Sequence, residues 1–170
     1  MPWDAIDLVP QFTRGRPLPI SGIVWHTLEG SSSGARSWWR TCDCASAEFI
    51  VERSGLIVLC VDLGNTAWHA GTGWVNGVHT GRSPYWRANN ANHGNVGIEL
   101  EGSASQSSFP IAQISAAKKL AWWLTRRYGI PSEYRPDDMS GHKRHSDVSN
   151  QRSDPGPNFP LDEIIAACTS

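Results

Sequence analysis

The sequence has no strong charge of either sign. Fifteen lysines and arginines stand against sixteen aspartates and glutamates, a net charge of −1, so no basic field speaks for nucleic acid and no polybasic segment for an anionic membrane. No apolar run approaches the length of a bilayer span, and the opening Met1-Pro2-Trp3-Asp4-Ala5-Ile6-Asp7 has neither the basic nor the apolar region of an export signal. These absences predict cytoplasmic synthesis without a signal peptide, no membrane insertion, and a partner read by shape and local chemistry. Internal repeats are missing, and the one low-complexity tract is Ser31-Ser32-Ser33. A length of 170 residues suits one domain with a substantial core, and a monomer is the default expectation. Cysteine is sparse: Cys42, Cys44, Cys60 and Cys168. Cys42-x-Cys44 is too tight for a zinc knuckle and has no second pair, which argues against a structural zinc site and for reduced thiols.

Phenylalanine and tyrosine are also scarce, four and three, whereas tryptophan occurs nine times. The pairs Trp38-Trp39 and Trp122-Trp123 are expected in the core. Trp68-His69 and Tyr85-Trp86 lie in glycine-rich polar stretches, where aromatics are expected to line a cleft for an amphipathic ligand such as a sugar or peptide.

Residues 1–19, rich in proline, read as an extended arm lying on a domain formed by residues 20–170. Ile20-Ser21-Gly22-Ile23-Val24-Trp25-His26 is a β-rich run that delivers His26 to a strand end. A brief helix is expected near residues 35–41. Phe49-Ile50-Val51-Glu52 and Leu56-Ile57-Val58-Leu59-Cys60-Val61 flank Arg53-Ser54-Gly55 as a β-hairpin. From Gly64 to Gly94 no period is sustained, which predicts a long functional loop region. Asn95-Val96-Gly97-Ile98-Glu99-Leu100-Glu101-Gly102 alternates, with Ile98 and Leu100 on one face and Glu99 and Glu101 on the other. Apolar residues recur at three- and four-residue intervals from Ile111 to Leu124, a helix opened by Pro110 and closed by Gly129 and Pro131. A terminal helix spans residues 161–167, with Asp162 and Glu163 complementing its dipole. The order of elements predicts an α/β single domain with a central mixed β-sheet flanked by helices.

Chemistry concentrates in Arg144-His145-Ser146-Asp147-Val148-Ser149-Asn150-Gln151-Arg152-Ser153-Asp154-Pro155-Gly156-Pro157, which packs an imidazole, carboxylates and guanidiniums into a segment with little capacity for regular structure. A zinc hydrolase needs ligands that leave one position open, and a base close by. His26, His145 and Asp154 are suitable donors, with Asp154 stiffened by Pro155-Gly156-Pro157, and Glu99 is a candidate general base or acid. Singly, each has an ordinary structural reading: a strand-end histidine, a solvated strand glutamate, a turn carboxylate.

Taken in order, Val24-Trp25-His26-Thr27, Ser46-Ala47-Glu48-Phe49-Ile50-Val51, Ala67-Trp68-His69-Ala70-Gly71, the strand from Asn95 to Gly102, and His145-Ser146-Asp147-Val148 to Asp154-Pro155-Gly156-Pro157 resemble the successive signatures of the type-2, zinc-dependent N-acetylmuramoyl-L-alanine amidases. That family also includes peptidoglycan recognition proteins and many phage endolysins. The resemblance covers residues 20–160. It implies that His26, His145 and Asp154 bind Zn2+ and that the substrate is bacterial peptidoglycan or a muropeptide, cut at the amide between N-acetylmuramic acid and L-alanine. Glu99 would shuttle the proton toward the leaving amine. His69 and Trp68 of the Ala-Trp-His-Ala-Gly motif and Asn92 would contact substrate. The simplest setting is an endolysin of phage or prophage type, reaching the cell wall through a partner pore; the alternative is a non-catalytic muropeptide-binding module of the same fold.

Three departures from the family pattern stand out. Arg152 occupies a place where lysine is common; it keeps a positive charge for the oxyanion but not an acid's reactivity. Ala47 stands where some branches have a catalytic tyrosine, and Glu48 where histidine is frequent, which opens the prospect of a second carboxylate in the cleft. The second histidine ligand has a competitor, because Gly141-His142-Lys143 mimics the local Gly-His pair. The nine residues from His145 to Asp154 fit the family pattern better than the twelve from His142, so the resemblance favours His145. His79 and His93 read as surface residues.

Overall fold

The computed structural model describes residues 1–71 and 77–169, together with the backbone of residues 74–75. Part of the glycine-rich stretch from Gly71 to Gly94, residues 72, 73 and 76, lies outside the described residues. In chain order the strands are β1 (Ala5–Ile6), β2 (Phe12–Thr13), β3 (Gly22–Thr27), β4 (Phe49–Val51), β5 (Ile57–Leu59), β6 (Thr66–Ala67), β7 (Trp74–Val75), β8 (Val78–His79), β9 (Asn95–Leu100) and β10 (Gly141–Arg144). The helices are α1 (Ser32–Trp39), α2 (Pro84–Ala88), α3 (Ile111–Tyr128), α4 (His145–Val148) and α5 (Leu161–Ala167). The expected α/β single domain is present: a six-stranded mixed sheet in the order β1-β5-β4-β9-β3-β10, antiparallel at β4–β5 and parallel elsewhere.

Strand alternation divides this sheet into two unlike faces. Ile23, Trp25, Phe49, Val51, Ile57, Leu59, Val96, Ile98 and Leu100 join the buried stripe of α3 and α5 in one apolar core. Their sequence neighbours turn the other way, because successive strand side chains alternate across the pleat. That second face carries Val24, His26, Glu48, Asn95, Gly97 and Glu99. The long helix α3 shows why the core side is secure: Ile114, Ala117, Leu120, Ala121 and Leu124 are all buried on one stripe, and Gly129 closes the helix in the left-handed region at φ 67°.

Three expectations change. The arm does not simply lie on the domain: β1 adds a parallel edge strand beside β5, β2 pairs with β6, and the Trp3 ring packs on Phe49 and Trp123. The stretch after Gly64 contains short elements, β6 to β8 and α2, rather than loop alone. The tryptophan pairs split, because adjacent helical residues diverge by about 100°. Trp39 is buried while Trp38 is 54% exposed, and Trp123 packs on the core while Trp122 is 42% exposed.

Among the described residues no helix is long and apolar enough to cross a membrane. All four cysteines are free thiols.

Candidate metal centre

Three elements converge on one point. His26 lies near the carboxyl end of β3, directly across from Glu99 of β9 in parallel register. Strand β10 runs beside β3 and passes straight into α4, whose first residue is His145. That turn is fixed at its start, where the backbone N–H of Arg144 donates to Asp147 Oδ2 at 2.7 Å, and the Tyr134 hydroxyl donates to Asp147 Oδ1 at 2.8 Å. Asp154 returns to α4 through the Ser146 N–H, which donates to the Asp154 carbonyl at 3.0 Å. Gly156, at φ 88°, lies so close to the Ala104 carbonyl that a Cβ there would collide with backbone.

The Oδ2 of Asp154 faces both imidazoles, 3.1 Å from His145 Nδ1 and 3.4 Å from His26 Nδ1. The two rings lie edge to face with centroids 4.3 Å apart. All three side chains are buried, and their ligand atoms lie within 4.8 Å of one another, a group that could hold a metal ion. The protonation states suit that use. Burial, helped by His145, pushes His26 down to about 4, so its ring is neutral at neutral pH. Burial alone would raise the Asp154 carboxyl, but hydrogen bonds and charge from His145 and His26 outweigh it and hold the group well below the usual carboxylate range. Two nitrogen donors and one anionic oxygen, open on the cleft side, make a donor set for a metal ion, which would replace the hydrogen bonds that now join them.

Glu99 is not a solvated strand residue. Burial pushes its carboxyl well above the ordinary range, reinforced by the Asp154 charge and opposed by Arg152, and its Oε2 is shut off from water without a hydrogen-bond partner. A carboxyl raised in this way can carry a proton near neutral pH. Arg152 is exposed and overlooks a cleft with two lobes, both lined by His69, His145 and Arg152. One lobe, about 540 Å³, extends past Thr13, Trp68, Asn92 and His93. The other, about 430 Å³, extends past Glu29, Ser31, Trp38 and Glu99.

The other expected residues sort by position. Trp68 lines the cleft, its indole donating to Thr13 Oγ1 at 3.0 Å. His69 is buried beneath it, with Nδ1 3.1 Å from His26 Nε2. Asn92 borders the same lobe but spends its Oδ1 on the backbone, accepting from the N–H groups of His69 at 3.2 Å and Ala70 at 2.8 Å. Tyr85-Trp86 does not line the cleft: Trp86 is buried against Val24 and Val148, and its indole donates to the Pro136 carbonyl at 2.6 Å. His93 borders the cleft rather than the outer surface. His142 points to the core face, where Trp25 Nε1 donates to its Nδ1 at 3.3 Å; it is His145 that joins His26 and Asp154. Trp38 was missed as a cleft residue because its neighbour Trp39 is a core residue. Arg16 was missed altogether, although a glutamate inside the apolar run Ala47 to Val51 signals a buried cationic partner.

The signature described as N-acetylmuramoyl-L-alanine amidase matches residues 16–157. The chain belongs to the N-acetylmuramoyl-L-alanine amidase family. N-acetylmuramoyl-L-alanine amidase A of Achromobacter lyticus is 28% identical over 157 residues, 82% of this chain and 78% of that protein. The 1,6-anhydro-N-acetylmuramyl-L-alanine amidase AmpD of Enterobacter cloacae is 30% identical over 126 residues, 74% of this chain but 58% of the relative's length. A crystal structure of AmpD shares the fold with a TM-score of 0.70 at 21% identity, covering 98% of this chain and 96% of the other. Family membership makes the chain an amidase acting on peptidoglycan, and gives the His26, His145 and Asp154 group the character of the family's metal site.

Set in the amidase fold, the departures have physical consequences. Ala47 is fully buried and offers no proton donor. Glu48 adds no second carboxylate to the cleft; it lies fully buried under the floor, ion-paired with Arg16.

Proposed function

We propose that this amidase is zinc-dependent and hydrolyses the amide between the lactyl group of N-acetylmuramic acid and the L-alanine of the stem peptide, as a lytic enzyme of endolysin type. The observation that carries the reading is the convergence of His26, His145 and Asp154 on one point of the cleft lobe that Glu99 also lines, with Glu99 across the strand from His26. A purely binding module has no use for a buried donor set of two imidazoles and a carboxylate beside a partnerless, raised carboxyl.

When bound, zinc supplies the Lewis acidity that makes water a competent nucleophile toward an amide. The chain's own groups do the rest. His26, its ring kept neutral by burial, His145 and the anionic Asp154 would hold the ion. Glu99 receives a proton at its carboxylate from the attacking water and returns it to the leaving nitrogen, a transfer its raised proton affinity favours. Arg152, a permanent cation over the junction of both lobes, stabilises negative charge developing on the substrate oxygen and contributes no proton. Trp68 on one side and Trp38 on the other offer apolar faces to an amphipathic substrate.

The fold is shared in nearly full length with the endolysin amidase LysCS of Clostridium intestinale, 98% and 97% of each chain, and equally with AmpD, so both settings are open to this fold. AmiD of E. coli is seen with anhydro-N-acetylmuramic acid-L-Ala-D-gamma-Glu-L-Lys, so cleavage of small anhydro fragments is the competing role. Digests of intact sacculi and of 1,6-anhydro muropeptides, read by mass spectrometry with and without a chelator, test both levels. Free stem peptides released from sacculi and lost on zinc removal are expected. Full activity in a metal-free sample would refute the zinc reading, and release from anhydro fragments alone would refute the lytic one.

A further inference from the structure

The buried Arg16–Glu48 pair stands behind the metal centre and is not explained by the reaction. Glu48 faces only donors. The Arg16 guanidinium pairs with Oε1, the Ala67 N–H donates to Oε1 at 3.2 Å, and the Gly97 N–H donates to Oε2 at 2.7 Å. Burial pushes this carboxyl up, and the Arg16 charge and the Gly97 and Ala67 N–H groups oppose it; a shell made only of donors fits the carboxylate. Arg16 is anchored in turn by donating to the carbonyls of Leu63 at 2.9 Å and Asn95 at 3.0 Å.

On the far side of Glu48 lies His69. Its Nε2 is 4.0 Å from Glu48 Oε2, a charge contact longer than a hydrogen bond, its side chain is fully buried, and the Asn95 backbone also lies against the ring. Its Nδ1 is 3.1 Å from His26 Nε2. The ring rests against β9 where Gly97 leaves room: a Cβ at Gly97 would come within 2.7 Å of His69 Cβ. A histidine with a carboxylate near one nitrogen and another imidazole on the other has one consistent tautomer. Nε2 keeps its proton toward Glu48, and Nδ1, left with its lone pair, accepts the Nε2–H of His26. His26 Nδ1, the nitrogen facing Asp154, is then bare. The opposite tautomer would put the His69 proton on Nδ1, strip His26 Nε2, and place a proton on His26 Nδ1 where a ligand lone pair is required.

We propose that Glu48, held in place by Arg16 from the N-terminal arm, is a positioning residue of the metal centre that fixes the tautomers of His69 and His26 and so aims His26 Nδ1 at the ion. The proposal rests on the zinc reading above. It gives the arm a role in the site, and it gives a purpose to a glutamate where the family pattern often has histidine.

Long-range proton–nitrogen correlation spectra of the zinc-loaded wild-type protein read the tautomers directly. His69 protonated at Nε2 and His26 protonated at Nε2 are expected; His69 protonated at Nδ1 overturns the proposal. A second arm uses R16M/E48Q, which removes both charges at nearly constant volume so that neither is stranded. Its zinc affinity, measured by competition with a chromophoric chelator, should fall about 10- to 100-fold, while its thermal midpoint without metal stays close to the wild type's. His69→Ala should lower affinity similarly, and the triple variant should lose little more, because one route is cut in both. Unchanged zinc affinity in folded R16M/E48Q, or losses that multiply in full, overturns the proposal; if that variant does not fold, the wild-type spectra decide. A wild-type protein that binds no zinc overturns the zinc reading and this proposal together, whereas zinc bound beside an Nδ1-protonated His69 overturns this proposal alone.

Discussion

His142 and His145 are three residues apart, both are buried, and both belong to the β10–α4 segment, yet they end on opposite faces of the sheet. His142 pairs in register with Ile23 and stacks on Trp25, so it shares the face occupied by α3 and α5. His145, one residue past the strand, turns toward His26 and Asp154. The same contrast runs along β3 and β9, where Trp25 and Ile98 are core residues while His26 and Glu99 line the candidate site. The difference teaches that burial and residue type do not make a ligand. A buried histidine becomes one when the groups opposite are donors and acceptors able to share an ion, and remains packing when they are indole and aliphatic carbon.

The sharpest way to break the comparison is to delete each histidine. His145→Ala should reduce bound metal to background, because two remaining donors do not make a stable site, whereas His142→Ala should retain near-stoichiometric metal despite the cavity it leaves. Elemental analysis of the purified variants decides it, and metal lost from His142→Ala with metal kept by His145→Ala would invert the assignment. On the neighbouring strand, Glu99→Gln should keep the metal and the fold but lower turnover on muropeptides by about 10²- to 10⁴-fold, the usual worth of a positioned acid–base group. Steady-state rates beside metal content test this; a loss of metal in parallel with rate would make Glu99 part of the binding site instead.

Much of this contrast is legible in the sequence, because it follows local rules. The alternation of Val96, Ile98 and Leu100 with Gly97 and Glu99 needs no tertiary information, nor does the stripe of α3 between Pro110 and Gly129, nor the hairpin at Gly55. What escapes is set by distant partners. Nothing near Ala5 announces that it will pair with Val58. Trp86 sits in a polar, glycine-rich neighbourhood suited to a cleft wall, and only the Pro136 carbonyl, fifty residues on, draws its indole inward. Glu48 and Arg16 are separated by thirty-two residues, so the pair is invisible until the arm folds back. In the candidate site, the motif order brings forward His26, Glu99, His145 and Asp154, but which nitrogen faces the ion, and what lies behind it, depends on geometry that no motif encodes.

The smallest effect separates the faces by pH. Burial lowers the His142 imidazole to about 4 from an ordinary value near 6.5. Its Nδ1 accepts from Trp25, so the ring proton resides on Nε2, which is buried without a partner. Between these two values the unfolded chain binds a proton that the folded chain refuses, so stability is fully present above about pH 6.5 and declines as pH falls toward 4. For a group this deeply buried the loss amounts to at most about 3 kcal/mol. His26 adds a loss of the same sign in metal-free protein, since it too is lowered to about 4, and zinc, by binding the neutral ring, makes that part depend on metal concentration. The core contribution is isolated with His142→Gln, which preserves an acceptor for the Trp25 indole and cannot titrate. In metal-free denaturant titrations from pH 7 to pH 4, wild type should lose more stability than His142→Gln, and the two should differ by the same amount when zinc is present. Parallel pH curves for the two proteins would mean that His142 is protonated within the fold, and that the core face is as polar at that point as the metal face.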